Sequence, residues 1–116
     1  MSSRPTTAYK VLTAEEMRAL EADEFRGAQV DVADGFVHLS TLDQLTETVD
    51  KHFAGQSDLW IAAVDLTAFG DSLKWEESRG GALFPHIYGA MPLETVIAYG
   101  PLKRGDDGAV KLPVAG

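Results

Sequence analysis

TAYKVL (residues 7–12) is rich in β-formers and predicts a first strand. In TAEEMRALEAD (13–23) the pattern changes to a short apolar stripe, Met17 and Leu20, and the stretch predicts a helix. Thr13 and Glu16 stand three apart there as a capping box, in which each side chain accepts from a backbone N–H at the helix start. Gly27 is expected in the loop beyond. DGFVHLS (34–40) opens on an Asp-Gly turn signal and continues as a short strand. A second capping box, Thr41 with Gln44, opens LDQLTETVDKHFAG, where Leu42, Leu45, Val49 and Phe53 fall near the helical period and Gly55 is placed to end it. LWIAAVDL (59–66) is nearly continuously apolar, as a central strand covered on both faces should be. LKWEE (73–77) and LETVIAYG (93–100) predict further strands, and PLKRGDDGAVKLP a final hairpin turning at Asp107-Gly108. The order β-α-β-α followed by strands predicts an α+β domain with a mixed or antiparallel sheet and two main helices.

At 116 residues the expectation is one domain spanning 1–116, with 45 % hydrophobic and 24 % charged residues placing it among ordinary globular chains. The absence of cysteine removes disulfide scaffolds, thiolate zinc sites and cysteine nucleophiles, and fits a reducing compartment. The stretch MSSRPTTAYK has no apolar leader region, and no apolar run approaches the ~18 residues of a membrane span. The expectation is a cytoplasmic protein without membrane contact. A net charge of −8 argues against sequence-independent binding to nucleic acid, which rests on cationic surface. Residues 13–50 hold ten acids against two bases, while the rest of the chain is balanced. That acidity reads as solvated helix surface, Asp31 and Asp34 included.

Two stretches carry candidate chemistry. In GFVHLS, alternation places Phe36, His38 and Ser40 on one face and the apolar Val37 and Leu39 on the other. Ser40 and Thr41 would then stand beside the free N–H groups of the following helix, a place for phosphate. In KWEESRGGALFPHIYG (74–89), Lys74, Glu76 and Ser78 share one strand face and Trp75 and Glu77 the other. Gly80-Gly81 permits close backbone approach, Pro85 stiffens the segment, and His86 and Tyr88 point the same way if it is extended. His38, His52 and His86 lack metal-ligand spacing, so no metal site is expected, and His52 reads as solvent-facing. No G-x-S-x-G elbow or Gly-rich phosphate loop occurs.

Together YKVLT, VDVADGFVHLST, HFAGQSDLWIAAVD and LKWEESRGGALFPHIYG resemble the domain-of-unknown-function 952 family of small bacterial proteins, over about residues 8–112. The resemblance implies a fold like that of the ADP-ribosyltransferases, a small split sheet with helices against it. VHLS is also similar to a segment of tRNA 2′-phosphotransferases, which share that fold and use NAD. Those relatives carry an arginine or histidine on the first strand, where this chain has Tyr9 and Lys10. A catalytic glutamate would correspond to Glu76 or Glu77.

Two functional readings follow. In the first, the protein binds or acts on NAD, ADP-ribose or a related nucleotide, with an ADP-ribosyl- or phosphotransferase-like activity; no cofactor is established. Glu76, His38 and His86 would then be catalytic, and Ser40, Thr41, Arg79 and Tyr88 would bind the ligand. In the second, it is a non-catalytic interaction module whose polar motifs are a structural hydrogen-bond network. The sequence names no protein partner.

Overall fold

The computed structural model describes residues 5–77 and 81–113. Its elements are β1 (Thr7–Leu12), α1 (Ala14–Glu21), α2 (Gln29–Asp34), β2 (Val37–His38), α3 (Leu42–His52), β3 (Trp60–Asp65), β4 (Leu73–Glu77), β5 (Leu83–Ile87) and β6 (Val96–Pro101). They form two three-stranded sheets, both antiparallel, in the orders β1-β3-β6 and β2-β5-β4. The α+β expectation stands, with a sheet that is antiparallel and divided in two.

The first sheet is built on β3, whose continuous apolar run is buried on both faces. Ala62 and Val64 meet a core shared with Ala8, Leu12, Met17 and Leu20, which also takes Val37 and Ile87 from the second sheet. On the opposite face Ile61 packs with Val11, Leu45, Val49, Leu59 and Val110, so α3 covers that side. Burying a side chain the size of Leu12 or Ile61 stabilises by about 1.5–3 kcal/mol, and these rows fix which face of each strand is inward. Thr13 and Glu16 make the reciprocal cap expected of them, at 3.1 and 2.9 Å.

Four local expectations change. A third helix, α2, adds to the two main helices expected; it ends at Gly35, whose φ of 87° is the left-handed cap conformation that favours glycine. Leu42 is exposed rather than part of the α3 stripe, which rests on Leu45 and Val49. The final hairpin reduces to a single bridge between Arg104 and Val110. The LETVIAYG strand begins only at Val96, after a 3-10 turn.

The strand β5 is the element that positions the site. It is the central strand of the second sheet although it contains Pro85, which lacks an N–H. The Pro85 carbonyl accepts from the Leu39 N–H at 3.1 Å, so the missing donor also faces the β2 side, because both backbone groups of a strand residue point the same way. Ladder pairing of β2 covers Val37 with Ile87 and His38 with His86, then stops. Beyond it Ser40 turns to the first sheet and exchanges both backbone bonds with Tyr9, at 2.8 and 2.9 Å. That bridge joins the two sheets.

Candidate functional site

Pairing of β2, β5 and β4 gathers Phe36, His38, Phe84, His86, Tyr88, Lys74 and Glu76 on one face of the second sheet. His38 lies opposite His86 and Lys74 opposite His86 on the other side. Trp75, on the reverse face, packs against the core. Glu76 rather than Glu77 therefore faces the histidines.

Glu76 Oε1 is 2.7 Å from His86 Nδ1 and 2.8 Å from the Tyr88 hydroxyl, which also reaches Oε2 at 3.1 Å. The hydrogen bond from His86, then that from Tyr88, hold the Glu76 carboxyl below its ordinary range. The same carboxylate pushes the Tyr88 phenol up, since a phenolate beside it would lose the hydrogen bond and face a like charge. An ionised carboxylate only accepts, so His86 Nδ1 carries a proton, and in the neutral imidazole Nε2 keeps its lone pair. Among the described residues no group is bonded to that nitrogen.

His38 belongs to a second carboxylate network. Asp31 is 3 % exposed. It takes Lys10 Nζ at 2.8 Å, His38 Nδ1 at 2.7 Å, the His38 N–H at 3.1 Å and the Ala28 N–H at 2.8 Å. Burial pushes its carboxyl up, but the His38 hydrogen bond, the Lys10 charge and the bonds from Lys10 and Ala28 outweigh it and bring it down to about 2. The expectation that Asp31 is solvated surface is corrected: it is the buried hub that pins α2 to β1 and β2. His38 Nε2 in turn faces Asp34 Oδ2 at 3.0 Å. Phe36 lies against three rings, with centroids 4.5 Å from His38, 4.3 Å from His86 and 5.0 Å from Tyr88.

In front of the two histidines opens a cleft of about 420 Å³, in the usual range for small-molecule sites. Its walls come from β1 (Lys10, Val11), the start of α1 (Thr13, Glu16), α2 with its preceding residue (Ala28 to Val30), the end of α3 (His52, Phe53) and Phe84. His52 is exposed, and also lines the mouth.

Four of the residues singled out from the sequence thus come together: His38, Glu76, His86 and Tyr88. Ser40 and Thr41 do not join them, because the strand ends at His38 and the chain leaves for β1. The Ser40 hydroxyl pairs with that of Thr48 at 2.8 Å. Thr41 caps α3, its N–H held by the Gln44 side chain at 3.0 Å, and lines a separate open hollow of about 580 Å³ with Tyr9, Trp75 and Leu83. Arg79 lies outside the described residues, as do Ser78 and Gly80. Lys10, Asp31, Asp34 and Phe36 are further residues of the site to which the two motifs assign no role. The one local signal was Asp31 and Asp34 spaced one helical turn apart before Gly35.

An antiparallel two-sheet α+β domain with two carboxylate–histidine pairs on one sheet face is the class of protein these features define. The chain belongs to the DUF952 family, described as protein of unknown function, whose model matches residues 11–99. It is similar to protein CC0527 from Caulobacter crescentus, known from an X-ray crystal structure: 43 % identical, over 91 % of this chain and 94 % of that one, with a TM-score of 0.82. The solution NMR structure of CC0527 matches at 43 % identity over 91 % of each chain, with a TM-score of 0.76. No curated protein matches the chain. Among the described residues no helix is long and apolar enough to cross a membrane.

Proposed function

We propose that the protein binds a small organic ligand in the cleft before His86, and that His86 accepts a hydrogen bond or a proton from it. The observation that carries this reading is the chain Tyr88–Glu76–His86. A carboxylate that holds Nδ1–H fixes the tautomer and ring orientation and leaves Nε2 as the working nitrogen, the usual preparation of a general base. NAD, ADP-ribose or a related nucleotide is the first ligand class to test, on the strength of the sequence resemblance to folds like the ADP-ribosyltransferases. In this reading Glu76 positions His86, and His38 lines the wall. Ser40 and Thr41 hold the sheet junction and the α3 start instead of phosphate.

The interaction-module reading has one specific observation in its favour: Asp31 is fully occupied by structural partners, and His38 is clamped between two carboxylates. We assign that half of the polar cluster to the framework and the His86 half to the ligand. Amide NMR spectra recorded while titrating NAD, ADP-ribose and nicotinamide test the assignment. Shifts at Val11, His38, Phe84 and His86 are expected. If none of these peaks moves at millimolar ligand, the binding reading fails. Thermal melts add a second arm: His86→Ala should lower stability less than Asp31→Ala, because buried His86 gives up its contact with Phe36 and a bond to a half-exposed carboxylate, whereas Asp31 is the buried counter-charge of Lys10.

A further inference from the structure

Resting on that reading of the cleft, we infer that its occupant is a compact, mostly apolar molecule, uncharged or cationic, that offers an N–H or O–H to His86 and carries no anionic group into the cleft. The argument is one of charge and donor supply. Lys10 is the one lysine or arginine among the described residues that line the cleft. Its ammonium has three donors, and three acceptors surround it: Asp31 Oδ2 at 2.8 Å, Asp31 Oδ1 at 3.1 Å and the His38 carbonyl at 3.1 Å. The lysine is 5 % exposed and its charge is matched by Asp31, so it has neither a free donor nor a net field to give a phosphate or carboxylate.

The remaining charges point the other way. Glu16 lines the mouth, with Oε1 committed to the Thr13 N–H. Asp34 lies behind His38 and Glu76 behind His86, each a carboxylate within one imidazole of the cavity. His38 has both ring nitrogens turned to carboxylates. His52 stands at the mouth, on the exposed end of α3. The walls between are mostly apolar, Val11, Ala28, Val30, Leu39, Phe53 and Phe84, with Thr13, Gln29 and Gln56 the neutral polar side chains among them. An anion entering here would give up its hydration with no uncommitted lysine or arginine among the described lining residues to replace it, and His38 has both ring nitrogens already turned to carboxylates. A neutral ring loses little, and a cation gains from the surrounding carboxylates. In a dinucleotide the nicotinamide or adenine end fits this description, with the pyrophosphate left outside.

Three molecules of nearly one shape separate charge from size: benzamide, benzamidine and benzoate. Amide and methyl NMR titrations of the whole chain should show benzamide and benzamidine moving Val11, Phe84 and His86, with benzoate at least tenfold weaker. Val30 is an exposed position of the α2 wall, so Val30→Lys adds a cation without disturbing the core. That variant should gain benzoate binding and lose benzamidine. Benzoate binding to the unaltered protein as tightly as benzamide overturns the charge argument while leaving the cleft reading in place. Failure of all three to bind, with the fold intact, overturns both.

Discussion

Replacing Asp31 by asparagine strands a buried ammonium. Lys10 keeps the His38 carbonyl at 3.1 Å but loses the Asp31 carboxylate, and the asparagine must turn an NH₂ toward Lys10, His38 or the Ala28 N–H, all of which are donors. Removing one partner of a buried pair typically costs about 3–5 kcal/mol. For a chain of this length that is a fall in Tm of roughly 10–20 °C. The native carboxyl also gives a pH signature. Its value of about 2 lies nearly two units below the ordinary 3.8, and at about 1.36 kcal/mol per unit this contributes roughly 2 kcal/mol. Because the folded value is the lower one, that contribution is complete above pH ~4 and is lost as pH falls toward about 2. Urea unfolding of wild type and Asp31→Asn at pH 7 and across the acid range measures both effects. Adding Lys10→Met to the asparagine variant should recover at least about 1 kcal/mol, since the uncompensated charge is then gone. A loss below ~1 kcal/mol at pH 7, or a double variant no more stable than the single one, would refute the buried-hub reasoning.

Other consequences are open to direct measurement. Glu76→Gln removes the carboxylate that pushes the Tyr88 phenol up, so ultraviolet titration should show one tyrosine ionising at lower pH, toward the ordinary 10.0, while Tyr99, held up by Glu21, is unchanged. Gly35→Ala forces a Cβ into the left-handed cap of α2 and should lower stability by about 1–2 kcal/mol in chemical denaturation, although the space around it is open. Thr13→Ala removes one half of the reciprocal cap of α1, with an expected loss of about 1 kcal/mol by the same assay.

What was legible in the sequence is what local pattern controls. The continuous run 60–65, the alternation through LKWEE and the capping box at Thr13 each express a rule that acts within a few residues. Extension of residues 83–87 also made His86 and Tyr88 point one way, as the spacing suggested. The misreadings have long-range causes. Asp31 looks like any surface acid until a lysine 21 positions away and a histidine seven away fold onto it. Ser40 looks like the third member of a strand face, but Pro85, distant in sequence, withholds the donor that would continue the pairing, and Tyr9 takes the chain instead. Whether Glu76 or Glu77 meets the histidines depends on which face of β4 is covered by the core, and Trp75 decides that by packing inward.

The most direct test is a ¹⁵N spectrum of the His86 ring, in the pH range where the imidazole is neutral, recorded without ligand and then during addition of nicotinamide. The Tyr88–Glu76–His86 chain requires the Nδ1–H tautomer in the free protein, and ligand binding in the cleft requires the Nε2 resonance to move as nicotinamide saturates. An Nε2–H tautomer, or an Nε2 signal that stays fixed while the ligand binds elsewhere, would contradict the assignment of His86 as the group that meets the ligand.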